Sequence, residues 1–199
     1  MTHILVAITG ASGSIYGLRL VEELLRAKYR VTLLVTRAGM DVLRYETGLK
    51  WSGTTSERQV LMRDYFDGNQ SLLHYDADDL FAPVASGSSA PDAMVVAPCS
   101  MGSAARMAAG ISDNLVERVA DVMLKERREL VLVPRETPFN QLHLENLLRL
   151  ARAGAHILPA MPAFYQRPQT MEDLIDFVVG KILDSLRLEH KLFERWGEG

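Results

Sequence analysis

Apolar positions along this chain gather into short continuous runs, separated by longer stretches with helical spacing. His3–Thr9 is apolar and partly β-branched, which predicts a buried strand. Tyr29–Thr36, Asp92–Ala97, Leu130–Val133 and Ala155–Pro159 are runs of the same kind. Such runs suit strands covered on both faces, as in a parallel sheet. Between them lie helical patterns. One follows the first strand to about Ala27, and Met40–Tyr45 predicts a second. Ala104–Ala109 predicts a helix of small residues. Leu115, Val119 and Met123 share one face of another helix, with Asp113 as its N-cap. Thr137 and Pro138 read as N-cap and first residue of a helix, Phe139–Ala153, that closes at Gly154. Thr170–Asp173 opens the last helix with a capping-box-like pattern. Lys50–Asp79 is weakly periodic, with room for a short helix and an edge strand that the pattern does not place. Strands alternate with helices, with no repeat and no linker. This predicts a single domain over residues 1–199, three α/β/α layers around a mostly parallel sheet.

Composition narrows the class. Apolar residues are 48% and charged residues 24%, typical of a soluble globular protein. A net charge of −3 with no basic block gives no reason to expect nucleic acid. Cys99 is the one cysteine, so a disulfide framework and a thiolate zinc site are excluded. MTHILVAITG enters a strand pattern without a basic leader, and no apolar run has transmembrane length. The expectation is a cytoplasmic protein without a membrane partner.

Chemistry concentrates where strands end. Gly10-Ala11-Ser12-Gly13-Ser14 links the first strand to a helix. Such a turn offers free N–H groups and a helix dipole, the usual cradle for phosphate. Ser100-Met101-Gly102-Ser103 is a second turn of this type. Two cradles suit a mononucleotide, or a nucleotide with a second phosphorylated substrate. The second strand ends at Thr36-Arg37, without the acid that holds the ribose of a dinucleotide. Thr36 suits a phosphate or ribityl oxygen, and Arg37 leaves NADP open. Arg135 and Glu136 follow the fourth apolar run and face the same edge of the sheet. Arg118 and Lys125, on the preceding helix, are cations within reach of it. Both signs of charge at a strand end suggest anion binding with proton transfer. Glu46, before the glycine cap Gly48, reads either as a solvated helix-end carboxylate or as a functional one. Cys99 reads as a packed residue, with no histidine near it in sequence. The loop Phe81–Ser89, rich in small residues, suits either a close ligand approach or a flexible connection. Phe193 and Trp196 on a polar tail read as a subunit contact.

TGASGSIYG, ETG, ASGSSAP, APCSMGS, the run DNLVERVADVMLKERRELVLVPRETP with HLEN, and PAFYQRPQT with DFVVGKILD together resemble the UbiX flavin prenyltransferases. The likeness covers nearly the whole chain. It implies a flavodoxin-like, Rossmann-like fold assembled into a homododecamer with sites between subunits. It implies that dimethylallyl phosphate alkylates reduced FMN at N5 and closes at C6, with no metal. The product, prenylated FMN, serves UbiD-type decarboxylases, including those of ubiquinone synthesis. Gly10, Ala11, Ser12, Thr36, Ser100, Met101, Gly102, Ser103 and Arg135 would hold FMN. Tyr165 and Lys181 would bind dimethylallyl phosphate, with Arg118 and Lys125 adding charge. Glu46, Lys125 and Glu136 would be the catalytic groups. Residues 188–199 would form a tail at a subunit interface, and Trp196 or the Ala82–Pro83 loop would wall the pocket.

Two rival enzymes fit less well. A flavin-dependent decarboxylase of cysteine-type substrates needs Asn where Gly102 stands and a cysteine after Cys99. A short-chain reductase needs Tyr-x-x-x-Lys, which none of Tyr16, Tyr45, Tyr75 and Tyr165 begins. A non-catalytic flavin carrier explains both cradles but not Lys125, Glu136, Tyr165 and Lys181.

Overall fold

The structure is a computed structural model that describes residues 2–194. The wall assigned to Trp196 and the end of the tail lie outside the described residues. Six parallel strands form one sheet: β1 (His3–Ile8), β2 (Arg30–Val35), β3 (Leu72–His74), β4 (Ala93–Cys99), β5 (Glu129–Pro134) and β6 (His156–Ile157). Their spatial order is β3-β2-β1-β4-β5-β6. The helices are α1 (Ser14–Arg26), α2 (Arg37–Thr47), α3 (Thr55–Tyr65), α4 (Met101–Ala108), α5 (Leu115–Lys125), α6 (Gln141–Ala153) and α7 (Met171–Ser185). This is the three-layer flavodoxin-like architecture expected, with the Rossmann strand order.

Alternation along each strand separates two cores. Ile4, Val6 and Ile8 point toward α1 and α7, and Leu18, Leu24, Val179 and Ile182 meet them. Leu5 and Ala7 point the other way, toward Val119, Met123, Leu147 and Leu150 of α5 and α6. The expected face Leu115, Val119 and Met123 is wholly buried. No helix among the described residues is long and apolar enough to cross a membrane.

Several boundaries differ from expectation, each for a local reason. Asn114, not Asp113, caps α5: its side chain accepts from Glu117 N at 3.0 Å, while Asp113 donates its N–H to Glu117. Asn140, not Thr137, caps α6, forming a capping box with His143. The Thr137 hydroxyl donates to the Glu136 carbonyl instead, so it is not free to cap. Thr36 caps α2, which begins at Arg37, three residues before the predicted Met40 start. The weakly periodic middle holds α3, opened by the Thr54–Glu57 capping box, and the three-residue edge strand β3. Phe193 does not project. It folds back on α7, its ring 5.3 Å from that of Phe177.

Gly17 sets how closely α1 approaches the sheet. A Cβ there would collide with the Ala97 carbonyl and come within 2.7 Å of the Ile8 side chain. Backbone oxygen cannot move aside as a flexible side chain can. Gly17→Ala is expected to cost about 1–3 kcal/mol, the usual price of overpacking. Urea unfolding of the two proteins measures it, and equal midpoints would refute this account of α1 packing.

Candidate active site

The sheet reverses its winding between β1 and β4, and ligands of open α/β sheets bind in the crevice outside the carboxyl ends at such a point. The two turns singled out as cradles flank this crevice. Thr9, fully buried, fixes them to each other. Its hydroxyl donates to Pro98 O at 2.7 Å and accepts from Ser100 N at 2.8 Å. Thr9 was placed only as a strand residue. A buried hydroxyl at the end of an apolar run was the signal for its further role.

The β4 side is built by capping. The Ser100 hydroxyl accepts from Ser103 N at 3.2 Å and lies 3.0 Å from the Ser103 hydroxyl. Met101 is buried in the second core, so only its backbone is available to a ligand. Gly102 is exposed, and a Cβ there would meet only Arg106 within 4 Å. The turn therefore presents open backbone to the crevice. Arg106, absent from the sequence reading, pairs with Glu117, which is 1% exposed. Burial raises the Cys99 thiol to about 12, as expected of a packed cysteine and not of a nucleophile.

The β1 side corrects one expectation. Two N–H groups at the end of its glycine turn are not free. Gly13 N donates to Glu46 at 2.9 Å and Ser14 N donates to it at 2.9 Å. The α1 N-terminus already holds an anion, the Glu46 carboxylate carried in from the end of α2. Glu46 is thus bound, although it remains exposed to the crevice. Burial would raise its pKa, but the Ser12 hydroxyl, the N–H groups of Ser14 and Gly13 and the Ser14 hydroxyl outweigh that and hold it below the usual carboxylate value. Gly10 lies against α2, where a Cβ would stand 2.7 Å from that of Ala38. The Thr36 hydroxyl accepts from Gly39 N at 3.1 Å, which places it at the same edge.

Arg135 closes the arrangement. Its N–H donates to Cys99 O, and its guanidinium Nε donates to Ser12 O at 3.1 Å. It therefore spans from β5 to the β1 turn. Glu136 follows, half-buried, and its carboxylate accepts from Thr137 N at 3.0 Å.

The remaining candidates lie elsewhere in the chain. Lys125 ends α5, and α5 runs antiparallel to the strand it feeds. Lys125 thus stands near Glu129, where β5 begins, one strand length from Arg135. This corrects the expectation that Lys125 reaches the strand's carboxyl end. Arg118, on the same helix, donates to Ala85 O at 3.2 Å, and Lys125 pairs at 3.1 Å with Glu126, which packs on Gly87. Both cations border the loop of small residues, which forms two 3-10 turns, Pro83–Ala85 and Gly87–Ser89. Tyr165 stacks edge-on against Phe177, one turn before Lys181 on α7. Lys181 lies roughly 15 Å along α7 from Met171, which lines the Glu46 cleft. Each chain thus presents three groups: the crevice, the Tyr165–Lys181 face and the Arg118–Lys125 edge.

Comparison with known proteins gives this geometry a family. The Flavoprotein family model matches residues 1–183. A flavin prenyltransferase UbiX of Halalkalibacterium halodurans is 54% identical over 194 residues, 97% of this chain and 92% of that protein. The chain belongs to the UbiX flavin prenyltransferase family. The crystal structure of AnUbiX (PadA1), in complex with FMN and dimethylallyl pyrophosphate, superposes with a TM-score of 0.88 at 40% identity, covering 100% of this chain and 98% of that one. A dodecameric FMN-dependent Ubix-like decarboxylase from Escherichia coli O157:H7 superposes with a TM-score of 0.85 at 37% identity, covering 98% and 99%. Family membership makes the chain an enzyme, a prenyltransferase acting on flavin.

Glu46 gives a pH test. Its folded pKa lies below its unfolded value near 4.5, so its contribution to stability is present above that value and fades as pH falls through the folded one. Glu46→Gln is therefore expected to be less stable than wild type at neutral pH, with the gap closing below pH 4.5. Urea unfolding at both pH values measures the gap. A gap that persists undiminished in acid would refute the assignment.

Proposed function

We propose that this protein binds FMN in the crevice between β1 and β4 and prenylates its reduced form with dimethylallyl phosphate, at N5 and then C6. The observation that carries this reading is the crevice itself, in a UbiX-family chain. Two hydroxyl-rich turns are welded by Thr9 and bridged by Arg135. The residues present suit a flavin mononucleotide. Gly10 and Gly102 keep side chains away, Ser12, Thr36, Ser100 and Ser103 offer hydroxyls, and Arg135 supplies a cation. FMN when bound supplies the nucleophilic ring positions that accept the dimethylallyl group.

The chain's own residues handle the phosphate and the proton. An allylic phosphate ionises more readily when its departing charge meets fixed cations. Lys181 with Tyr165, and Arg118 with Lys125, are groups of this kind, but Lys125 and Lys181 stand away from their own chain's crevice. A homo-oligomer, a dodecamer by analogy with the Escherichia coli relative, would bring them to a neighbour's crevice. The tail from residue 188 would contribute at the same contacts. Closing the ring at C6 releases a proton, and Glu136 beside Arg135 is placed to pass it on, with the departing phosphate as first acceptor. Glu46, held ionised by its donors, acts as a fixed negative charge facing the allylic cation. The product would serve a UbiD-type decarboxylase, and ubiquinone synthesis is one route that uses such an enzyme. The pyrophosphate donor seen with the AnUbiX relative is a second candidate.

Mass spectrometry of the flavin after incubation with reduced FMN and dimethylallyl phosphate tests the reaction. A mass gain of one dimethylallyl unit less its displaced hydrogen is expected. Unchanged FMN, with decarboxylation of an added aromatic acid instead, would overturn the reading. Lys181→Ala is expected to weaken donor binding by about 1.5–3 kcal/mol, one charge-assisted contact, while sparing FMN affinity. Equal loss of both affinities would mean that α7 had been damaged. Glu136→Gln should slow turnover by about 10²–10⁴-fold with folding and FMN binding intact, the usual weight of general acid–base catalysis. Turnover at the wild-type rate would remove Glu136 from the proton path.

A further inference from the structure

Behind Lys181 stands a second row of side chains. Arg187, with φ 58°, ends α7 by turning the chain back, and Leu188 N donates to Leu183 O at 3.0 Å. The returning segment lies along α7 at Gly180, where a Cβ would come within 2.4 Å of the Phe193 ring and 2.8 Å of His190 Cε1. The glycine leaves a notch that the two rings fill, their centroids 4.9 Å apart. In that notch the His190 side chain is only 2% exposed. Its Nδ1 accepts from Leu192 N at 3.2 Å, so that nitrogen carries no proton. The proton is then on Nε2, which donates to Asp184 Oδ1 at 3.3 Å. The other carboxylate oxygen, Oδ2, accepts from Lys181 Nζ at 3.4 Å. A surface pair of i,i+3 spacing holds little by itself, because fixing two mobile side chains costs entropy. Here the carboxylate is fixed from behind by a buried imidazole of a single tautomer, so the pair has a rigid side. The segment is anchored twice more. Phe193 packs on Phe177, the ring that Tyr165 meets edge-on, and Gln166 Nε2 donates to Glu194 O at 2.7 Å.

We infer that His190 is a positioning residue for the prenyl donor: through Asp184 it aims the Lys181 ammonium at the donor phosphate. The inference rests on the donor-binding role proposed for Lys181. A lysine on its long stem loses rotamer freedom when it meets a phosphate, and holding its head beforehand lowers that cost at the moment of binding. One N–H given to Asp184 leaves two for phosphate oxygens. The segment after α7 thereby acts on the donor through two intermediaries. The flavin turns are built at the ends of β1, β4 and β5, so FMN affinity does not depend on this relay.

Calorimetry with dimethylallyl phosphate tests this, on the full chain loaded with oxidised FMN so that no turnover occurs. His190→Phe keeps a ring against Phe193 and removes the donor nitrogen. It is expected to weaken donor binding about three- to tenfold, the weight of one net hydrogen bond, with FMN binding unchanged. Asp184→Asn should act in the same direction. In His190→Gln an amide N–H can stand where Nε2 stood, and donor binding should return to within about twofold of wild type. In steady state the loss should appear in the donor KM, with kcat at saturating donor held within about twofold. Lys181→Ala decides the route. In that background His190→Phe should have no further effect on donor binding, because the group it positions is gone. An equal loss with and without Lys181 would mark a general loosening of the tail and overturn the inference. Unchanged or tighter donor binding in both His190→Phe and Asp184→Asn would overturn it too. Urea unfolding checks each variant, and if His190→Phe does not fold, Asp184→Asn and its cycle with Lys181→Ala carry the same test. A wild-type chain that binds FMN but no dimethylallyl phosphate would overturn the donor reading and this inference together. A wild type that binds the donor, beside variants that bind it equally well, would overturn the inference alone.

Discussion

A parallel sheet cannot be closed by hairpins, so every strand must return through a helix on one face or the other. All carboxyl ends then emerge along one edge, and every following turn opens there. In this protein the winding reverses between β1 and β4, which leaves the edge uncovered at that point. The crevice is a consequence of topology before any side chain is considered. Its dimensions depend on Thr9. That buried hydroxyl donates to one turn and accepts from it, so the β1 and β4 ends cannot slide past each other without stranding a buried polar group. Arg135 repeats the tie from β5 to the β1 turn.

The same topology spreads the proposed cations apart. A helix that feeds a parallel strand ends at the opposite edge from that strand's carboxyl end. Lys125 is therefore carried away from Arg135 even though only a few turns of chain separate them. Lys181 is similarly displaced, because α7 starts at the crevice and runs down the sheet. A chain of this fold cannot gather all of these groups into one crevice of its own. Assembly is then part of the catalytic reading, and the exposed Phe164, Met161 and Tyr165 around the α7 face give a second copy apolar surface to bury.

Much of this was readable from pattern alone. The five apolar runs became β1, β2, β4, β5 and β6; the first four are buried along nearly their whole length, whereas β6 shrinks to His156–Ile157 at the sheet edge, one residue exposed and the other half-buried, so its expected double cover is not met. What escaped had short or long range as its cause. β3 is three residues long, too short for any period to show. The N-caps of α5 and α6 shifted because neighbouring Asp, Asn and Thr residues are all competent, and the backbone geometry of the turn selects among them. Glu46 reaches Gly13 across thirty-three positions, and no local pattern reports such a contact. The fold-back of Phe193 onto Phe177 is of the same kind: an apolar residue on a polar tail shows that something must cover it, but not what. The family motifs pointed to Glu46 while local pattern left it open, since motif identity carries tertiary information that periodicity lacks.

The β4 turn is supported by a different means, and the difference bears on function. Glu117 is a carboxylate almost wholly removed from water, and a buried charge persists only when it is paired and hydrogen-bonded. Arg106 pairs with one of its oxygens, and Asp113 N donates to the other at 3.1 Å. Arg106 also approaches the Ser103 hydroxyl at 3.5 Å. Apolar packing could have filled this space at no loss of stability, since buried ion pairs are often matched by hydrophobic residues of similar volume. Packing is non-directional, however, whereas a guanidinium forked between a carboxylate and a hydroxyl sets angles. The loop entering α5 is thereby tied to the first turn of α4, and the turn proposed to meet the flavin is braced from behind. With Thr9 and Arg135 on its other side, the crevice is held by directional bonds at each wall. The proposed transfer to one ring atom and then a second would demand that a flavin be held in fixed register, since small misplacements are costly in such chemistry.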